Sequence, residues 1–223
     1  MLSALSAAAL GFLLGLRHAT DADHVVAVTA IVSREKSFRR AARIGALWGI
    51  GHSLTVLVIG GAIVLFRIAI PPRVGLGLEF AVAVVLIVLG FSNLRPITAQ
   101  RAADEQALAR ADGWRPLVVG VIHGLAGSAA VALLILAVIP ETAWALAYLL
   151  VFGLGTIAGM TVVTWLVAAP TVYASRSTQH VVRFQHGIRF TAGALSLIFG
   201  LILAREIVVE GGLFREAPTW TPK

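Results

Sequence analysis

The chain has 223 residues, of which 58% are hydrophobic and 13% are charged, and its formal net charge is +7. A typical soluble domain carries about 25% charged residues, so the composition indicates an integral membrane protein and argues against a soluble domain. Cysteine is absent, which excludes disulfides, thiolate metal sites, iron–sulfur clusters and a cysteine nucleophile.

The N-terminal stretch, residues 1–16, is apolar but does not open with positive charge. We therefore interpret it as part of a membrane helix and not as a cleaved signal peptide. Elsewhere the basic residues lie mainly between apolar segments, as in the cytoplasmic loops of membrane proteins. No basic stretch is interleaved with aromatic residues, so we expect no nucleic-acid partner.

Six apolar segments are long enough to cross about 30 Å of hydrocarbon. The sequence therefore predicts an all-α integral membrane protein with six transmembrane helices. The first segment is longer than one straight span needs and carries a polar cluster at its centre, so we expect a broken or tilted helix there. The segments are residues 2–32, 44–66, 74–94, 116–139, 143–169 and 188–208.

The connections between these segments differ in charge. The first and third hold five and four basic residues, and the fifth holds three when Arg189, at the start of the sixth segment, is counted with it. The second holds two and the fourth none. Cytoplasmic loops are enriched in Lys and Arg, so we predict that the odd connections are cytoplasmic. Both termini of this multi-pass protein of the plasma membrane would then lie outside.

Three short runs of the first half recur in the same order in the second half. They pair GLRH (15–18) with GVIH (120–123), WGIGH (48–52) with FGLGT (152–156), and LGFSNLR (89–95) with FGLILAR (199–205). Three spans per half place the halves in opposite orientations. The pattern therefore predicts a 3+3 inverted repeat, with a site between the halves at the membrane midplane.

The predicted organisation is a single transmembrane domain over the whole chain, 1–223. It comprises a first three-helix half (1–95), a cytoplasmic linker (96–115), a second three-helix half (116–208) and a tail (209–223).

The most informative feature is a cluster of four ionisable side chains inside the first apolar segment: His18, Asp21, Asp23 and His24. One carboxylate at a bilayer centre costs roughly 3 kcal/mol, so such groups persist where they pair, line a wet cavity or hold an ion. On a straight helix three of the four share one face, and Asp23 joins them if the helix unwinds. Imidazole and carboxylate ligands together suit Ni²⁺, Co²⁺ or Zn²⁺ better than Mg²⁺ or Cu⁺.

Two further histidines stand at apolar depth. His52, in the Gly-His-Ser run of the second segment, is predicted to be a metal ligand or the partner of one, and Ser53 beside it to line the path. The alternative is a hydrogen-bonded packing histidine. His123 occupies the repeat position equivalent to His18 and is a candidate for the opposite side of the path.

Three other residues are weaker candidates for the substrate path. Arg17 can neutralise an adjacent aspartate or simply pair with it. Ser128 lies in a small-residue run after His123 that also permits close helix packing. Asn93, late in the third segment, is expected to hydrogen-bond at a helix end or to line the path.

The run His18-Ala-Thr-Asp21-Ala-Asp23-His24 fits the H-x4-D-H signature of the nickel/cobalt transporter family, and Arg17 extends the match. Gly-His52-Ser resembles the second motif of that family. The short chain with six predicted spans resembles its urease-associated nickel permease branch. The longer members carry a Gly-x-Asp-Thr-x-Thr-Glu motif that is absent here, where the fourth segment holds no acid.

The resemblance implies transport of Ni²⁺ or Co²⁺, usually inward, whereas the spacing alone implies divalent-metal handling. We therefore predict a permease of a divalent transition metal that resides in the lipid bilayer, is not an enzyme and has no cofactor. Whether the protein forms a homo-oligomer stays open. The third connection contains no histidine, whereas exporters of the superfamily often carry histidine-rich loops, and this favours uptake.

Two other classes of function remain open from the sequence. The first is a metal-binding or metal-sensing membrane subunit that does not transport, or an exporter. The second, remote, is an intramembrane hydrolase of the rhomboid type, but the Gly-x-Ser-Gly and His-Glu-x-x-His patterns are absent.

Overall fold

The computed structural model describes residues 4–32, 35, 37–67, 70–95, 113–125, 139, 141–174 and 181–220. Within these ranges every regular element is a helix. The seven helices of the described residues are α1 (Ala4–His18), α2 (Ala22–Val32), α3 (Phe38–Phe66), α4 (Pro72–Leu94), α5 (Arg115–Leu125), α6 (Thr142–Ala174) and α7 (Val181–Arg205). Helix α3 includes a π-helical turn at Val56–Gly60, and α7 continues into one at Glu206–Glu210.

Four stretches among the described residues are long and apolar enough to cross a membrane: Phe38–Phe66, Pro72–Leu94, Thr142–Tyr173 and His186–Glu210. They correspond to the second, third, fifth and sixth predicted segments, so an all-helical protein with membrane-spanning helices agrees with expectation. The count of six and the 3+3 repeat stay predictions. Most of the predicted linker, at 96–112, and most of the fourth segment, at 126–138, lie outside the described residues.

The first apolar segment is broken, as its polar centre predicts. Helix α1 ends at His18 and α2 begins at Ala22. Both the backbone N–H and the hydroxyl of Thr20 donate to the carbonyl oxygen of Arg17, at 2.8 and 2.6 Å. These bonds satisfy a carbonyl that the missing helical turn would leave free.

The charges of the motif suit this break. Arg17 occupies the last turn of α1, and Asp23 occupies the first turn of α2. Cations favour the negative end of a helix dipole, and anions favour the positive end. The same residues that make the segment polar therefore also stabilise two helix ends in its middle.

Other helix ends also follow from local sequence. The hydroxyl of Ser37 caps α3 by accepting the N–H of Arg40, as N-cap serines do. Arg67, in the left-handed conformation, ends α3. Pro72 opens α4 at a position where a missing N–H costs nothing.

Glycines let three pairs of helices approach closely. A Cβ on Gly15 of α1 would overlap the carbonyl oxygen of Phe152 on α6, and one on Gly120 of α5 would overlap that of Trp48 on α3. These two contacts join repeat-equivalent positions. A third close pair joins α4 and α7, where a Cβ on Gly90 would crowd the backbone of Leu197.

Helix α2 packs against α4, α6 and α7. The side-chain amide of Asn93 on α4 donates to the carbonyl oxygen of Ala30 on α2 at 2.8 Å. Ala27, Val28 and Trp48 belong to one buried apolar cluster. The short helix that follows the break is therefore held in the protein interior.

Candidate metal site

Three histidines meet where the break in the first segment faces α3. Each of His18, His24 and His52 offers a ligand nitrogen, and these nitrogens all lie within 4.8 Å of one another. Their ring centroids are 4.8 to 5.1 Å apart. His24 and His52 are 3% and 0% exposed, so the group is almost closed to solvent.

The two aspartates of the motif hold two of these imidazoles. Nδ1 of His18 lies 2.8 Å from Oδ2 of Asp21, and Nδ1 of His24 lies 3.0 Å from Oδ1 of Asp23. An ionised carboxylate only accepts hydrogen bonds, so each Nδ1 carries the proton. In the neutral ring Nε2 is then left with a lone pair, as in the carboxylate–histidine–metal arrangement of many metal sites.

The spacing of His18 and His52 suits one shared ion. Their Nε2 atoms lie 3.0 Å apart. Two nitrogens bound at roughly 2.1 Å to one ion, at a right angle, are separated by about 3.0 Å. Without an ion, one of the two nitrogens must carry the proton that joins them, and Nδ1 of the buried His52 then has no hydrogen-bond partner among the described residues.

His123, which the repeat alignment pairs with His18, lies beside this group. Its ring centroid is 5.5 Å from that of His24 and 5.3 Å from that of Trp48. Its Nδ1 lies 3.2 Å from the carbonyl oxygen of Val119. That bond fixes the proton on Nδ1 and leaves the lone pair on Nε2.

The remaining candidates, where described, make other contacts or are exposed. The hydroxyl of Ser53 donates to the carbonyl oxygen of Gly153 on α6 at 2.9 Å, and it is buried. Asn93 donates to Ala30, so it joins two helices. The side chain of Arg17 is exposed, and Ser128 lies outside the described residues.

Sequence reasoning missed two aromatic neighbours of the cluster. Trp48 is fully buried, 6.2 Å from His24 between ring centroids, and Phe152 lies 5.4 Å from His18. Trp48 precedes His52 by one helical turn, so helical spacing placed it on the same face. Phe152 could be found only through the repeat alignment, which pairs it with Trp48.

The cluster lies in a part of the chain that is similar in sequence to known proteins. Residues 4–104 match a family model described as high-affinity nickel-transport protein, NicO. The chain is also 34% identical, over 95% of its own length and 96% of the relative, to the urease accessory protein UreH of Bacillus sp. (strain TB-90). The chain belongs to the NicO family. No solved structure matches it.

Membership in the NicO family confirms the resemblance that the two histidine motifs carry. It makes the chain a multi-pass membrane protein of a nickel-transport family, and a transporter rather than an enzyme. The matched range contains His18, His24 and His52. His123 lies beyond it, in the part of the chain that only the relative covers.

The two carboxylate–imidazole contacts give a first prediction. We expect Asp23→Asn and Asp21→Asn to weaken Ni²⁺ binding by about 10- to 100-fold each. Each substitution removes the carboxylate that orients one imidazole and raises the basicity of that ring. The Asp23 variant should show the larger loss, since Asp23 is 31% exposed and Asp21 50%. Calorimetric titration of the purified variants with Ni²⁺ measures this. Equal affinities in wild type and both variants would contradict it.

Proposed function

We propose that the protein is a permease that carries Ni²⁺, or the similar ion Co²⁺, into the cell, and that the ion binds at His18, His24 and His52 on its way. The observation that carries the proposal is the convergence of three imidazoles with lone pairs in a buried site. Imidazole suits first-row divalent metals. A buried group of this kind at membrane depth is expensive unless it has an ion to hold.

A position near the membrane midplane is part of this proposal. His52 occupies the central position of the 29-residue helix Phe38–Phe66. The other two histidines flank the break between α1 and α2. Broken helices that expose polar groups at mid-depth are a common way for transporters to bind an ion.

The two aspartates would act through the histidines in this site. Each lies at hydrogen-bond distance from Nδ1 of its imidazole, so the negative charges would offset that of the ion without occupying its nearest positions. Direct coordination by Asp21 or Asp23 requires a different side-chain conformation.

Release of the ion requires the ligand set to separate. His18 and His24 lie on the broken first segment, and His52 lies on α3. Helix α1 packs closely on α6, and α3 packs closely on α5, through repeat-equivalent glycines. We propose that the two halves rock against each other as inverted repeats do. His18 and His52 both belong to the first half, so parting them also requires the broken first segment to move against α3.

Uptake rather than export is supported by two features. The connection between the predicted third and fourth spans contains no histidine. The relative is named a urease accessory protein, and a protein that serves an enzyme of its own cell is expected to bring the ion inward. The charge of the connections supports an orientation with both termini outside.

Flux through the reconstituted protein tests the proposal. Proteoliposomes that hold a Ni²⁺-responsive dye are expected to respond when Ni²⁺ is added outside, and His52→Ala should remove the response. His186→Ala is the matched control, because it deletes an exposed imidazole outside the cluster. Binding of Ni²⁺ by the wild type without any flux would contradict a permease and favour a metal-sensing subunit.

A further inference from the structure

The buried polar atoms around His24 extend beyond the three-histidine site. Within the described residues, Nε2 of His24, Nε2 of His123 and Nε1 of Trp48 are each buried without a hydrogen-bond partner. Their three rings are mutual neighbours, with centroids 5.3 to 6.2 Å apart. Buried polar atoms are seldom left unpaired. Three such atoms in one place therefore indicate that a ligand pairs with them.

The two imidazoles of this second group each offer a nitrogen that can bind a cation. The carboxylate of Asp23 and the carbonyl oxygen of Val119 hold the protons on Nδ1 of His24 and His123. Both Nε2 atoms therefore present lone pairs. The indole N–H of Trp48 can only donate, so it cannot bind a metal, but it can bond to a water molecule that stays on the ion.

His24 belongs to both groups. Its ring is 4.8 Å from His18 and 5.1 Å from His52 on one side, and 5.5 Å from His123 on the other. His123 is 2% exposed, whereas the side chain of His18 is 17% exposed. The second group therefore continues the first one inward, away from the more open side.

We propose that His123 is a further metal ligand, which forms with His24 a second position for a divalent first-row cation beside the three-histidine site. This inference rests on the proposed function. His24 stays bound while the ion exchanges His18 and His52 for His123. Because both positions need His24, the protein holds one ion at a time, and loss of His123 slows passage without emptying the first position.

The test uses His123→Gln in proteoliposomes and in metal titration. We expect the maximal rate of Ni²⁺ flux to fall by about tenfold or more, and the dissociation constant to change by less than about threefold. Thr171→Val is the matched control, because Thr171 is also buried and its hydroxyl has no hydrogen-bond partner in the described part of the chain, but it lies outside both groups. A wild-type rate in His123→Gln would overturn the inference, whereas a wild type without flux would overturn the proposed function as well.

A second variant gives a readout that does not depend on flux. The chain has no cysteine, so His123→Cys introduces a single thiol, and thiolate is a strong ligand of these metals. Loading with Co²⁺ is expected to produce the thiolate-to-metal charge-transfer absorption, and to do so with one ion per protein. Absence of that absorption when Co²⁺ is bound would show that the ion does not reach position 123 and would overturn the inference.

Discussion

Replacing His52 by alanine is expected to lower the affinity for Ni²⁺ by at least about 100-fold. Loss of an outer partner alone costs about 10- to 100-fold, and this change removes one of the three proposed ligands. His18→Ala and His24→Ala should have effects of the same size, because the three nitrogens lie within 4.8 Å of one another and are proposed to share one ion. Titration calorimetry of the purified variants with Ni²⁺ measures the loss.

The control for these variants is His186→Ala. His186 is exposed on α7, so its removal deletes one imidazole while the cluster stays intact, and Ni²⁺ affinity should not change. A double variant should lose little more than either single variant, since one missing ligand already disables the site. Independent, additive losses from His18 and His52 would contradict a shared ion.

Gly51→Ala is expected to destabilise the protein strongly. A Cβ at this position would overlap the carbonyl oxygen of Leu117 on α5, and backbone cannot move aside as a flexible side chain can. Overpacking typically costs about 1–3 kcal/mol, and sometimes more. The change also adjoins His52, so both the melting temperature in detergent and Ni²⁺ binding should fall.

Gly77→Ala is the matched control on α4, because nothing lies within 4 Å of a Cβ there. Alanine is favoured over glycine in a helix by roughly 0.5–1 kcal/mol, so the melting temperature should stay the same or rise. If Gly51→Ala and Gly77→Ala had equal effects, close packing of α3 on α5 would not be what stabilises this region.

Much of the site could be predicted from the sequence because membrane depth makes polar residues conspicuous. His18, His24 and His52 stand in apolar segments where an unpaired polar group is costly, and the structure brings all three together. The break in the first segment was predictable for the same reason, since its charged residues cluster near the segment's centre.

The roles of Asp21 and Asp23 could not be read from spacing. Helical geometry places residues on faces, but it does not say whether a carboxylate reaches an ion or the Nδ1 atom of its neighbour. The break changes those faces, because Thr20 takes over a carbonyl of α1 and α2 restarts at Ala22. Asp23, which points away on a straight helix, then lies beside His24.

The place of Trp48 depended on contacts between helices. Trp48 is fully buried, and its approach to His123 requires Gly120 to let α5 come up against the backbone of α3. The repeat alignment placed His18 and His123 in equivalent positions. It did not indicate that His24 would be the histidine that lies next to His123.

X-ray absorption at the nickel edge of the loaded protein tests most directly whether the ion binds to the histidines at the break of the first segment. We expect a nitrogen shell at roughly 2.1 Å, with the outer scattering of imidazole rings. His52→Ala should show fewer rings, and His186→Ala should not. A shell of oxygen ligands with no imidazole scattering in the wild type would contradict binding to these histidines.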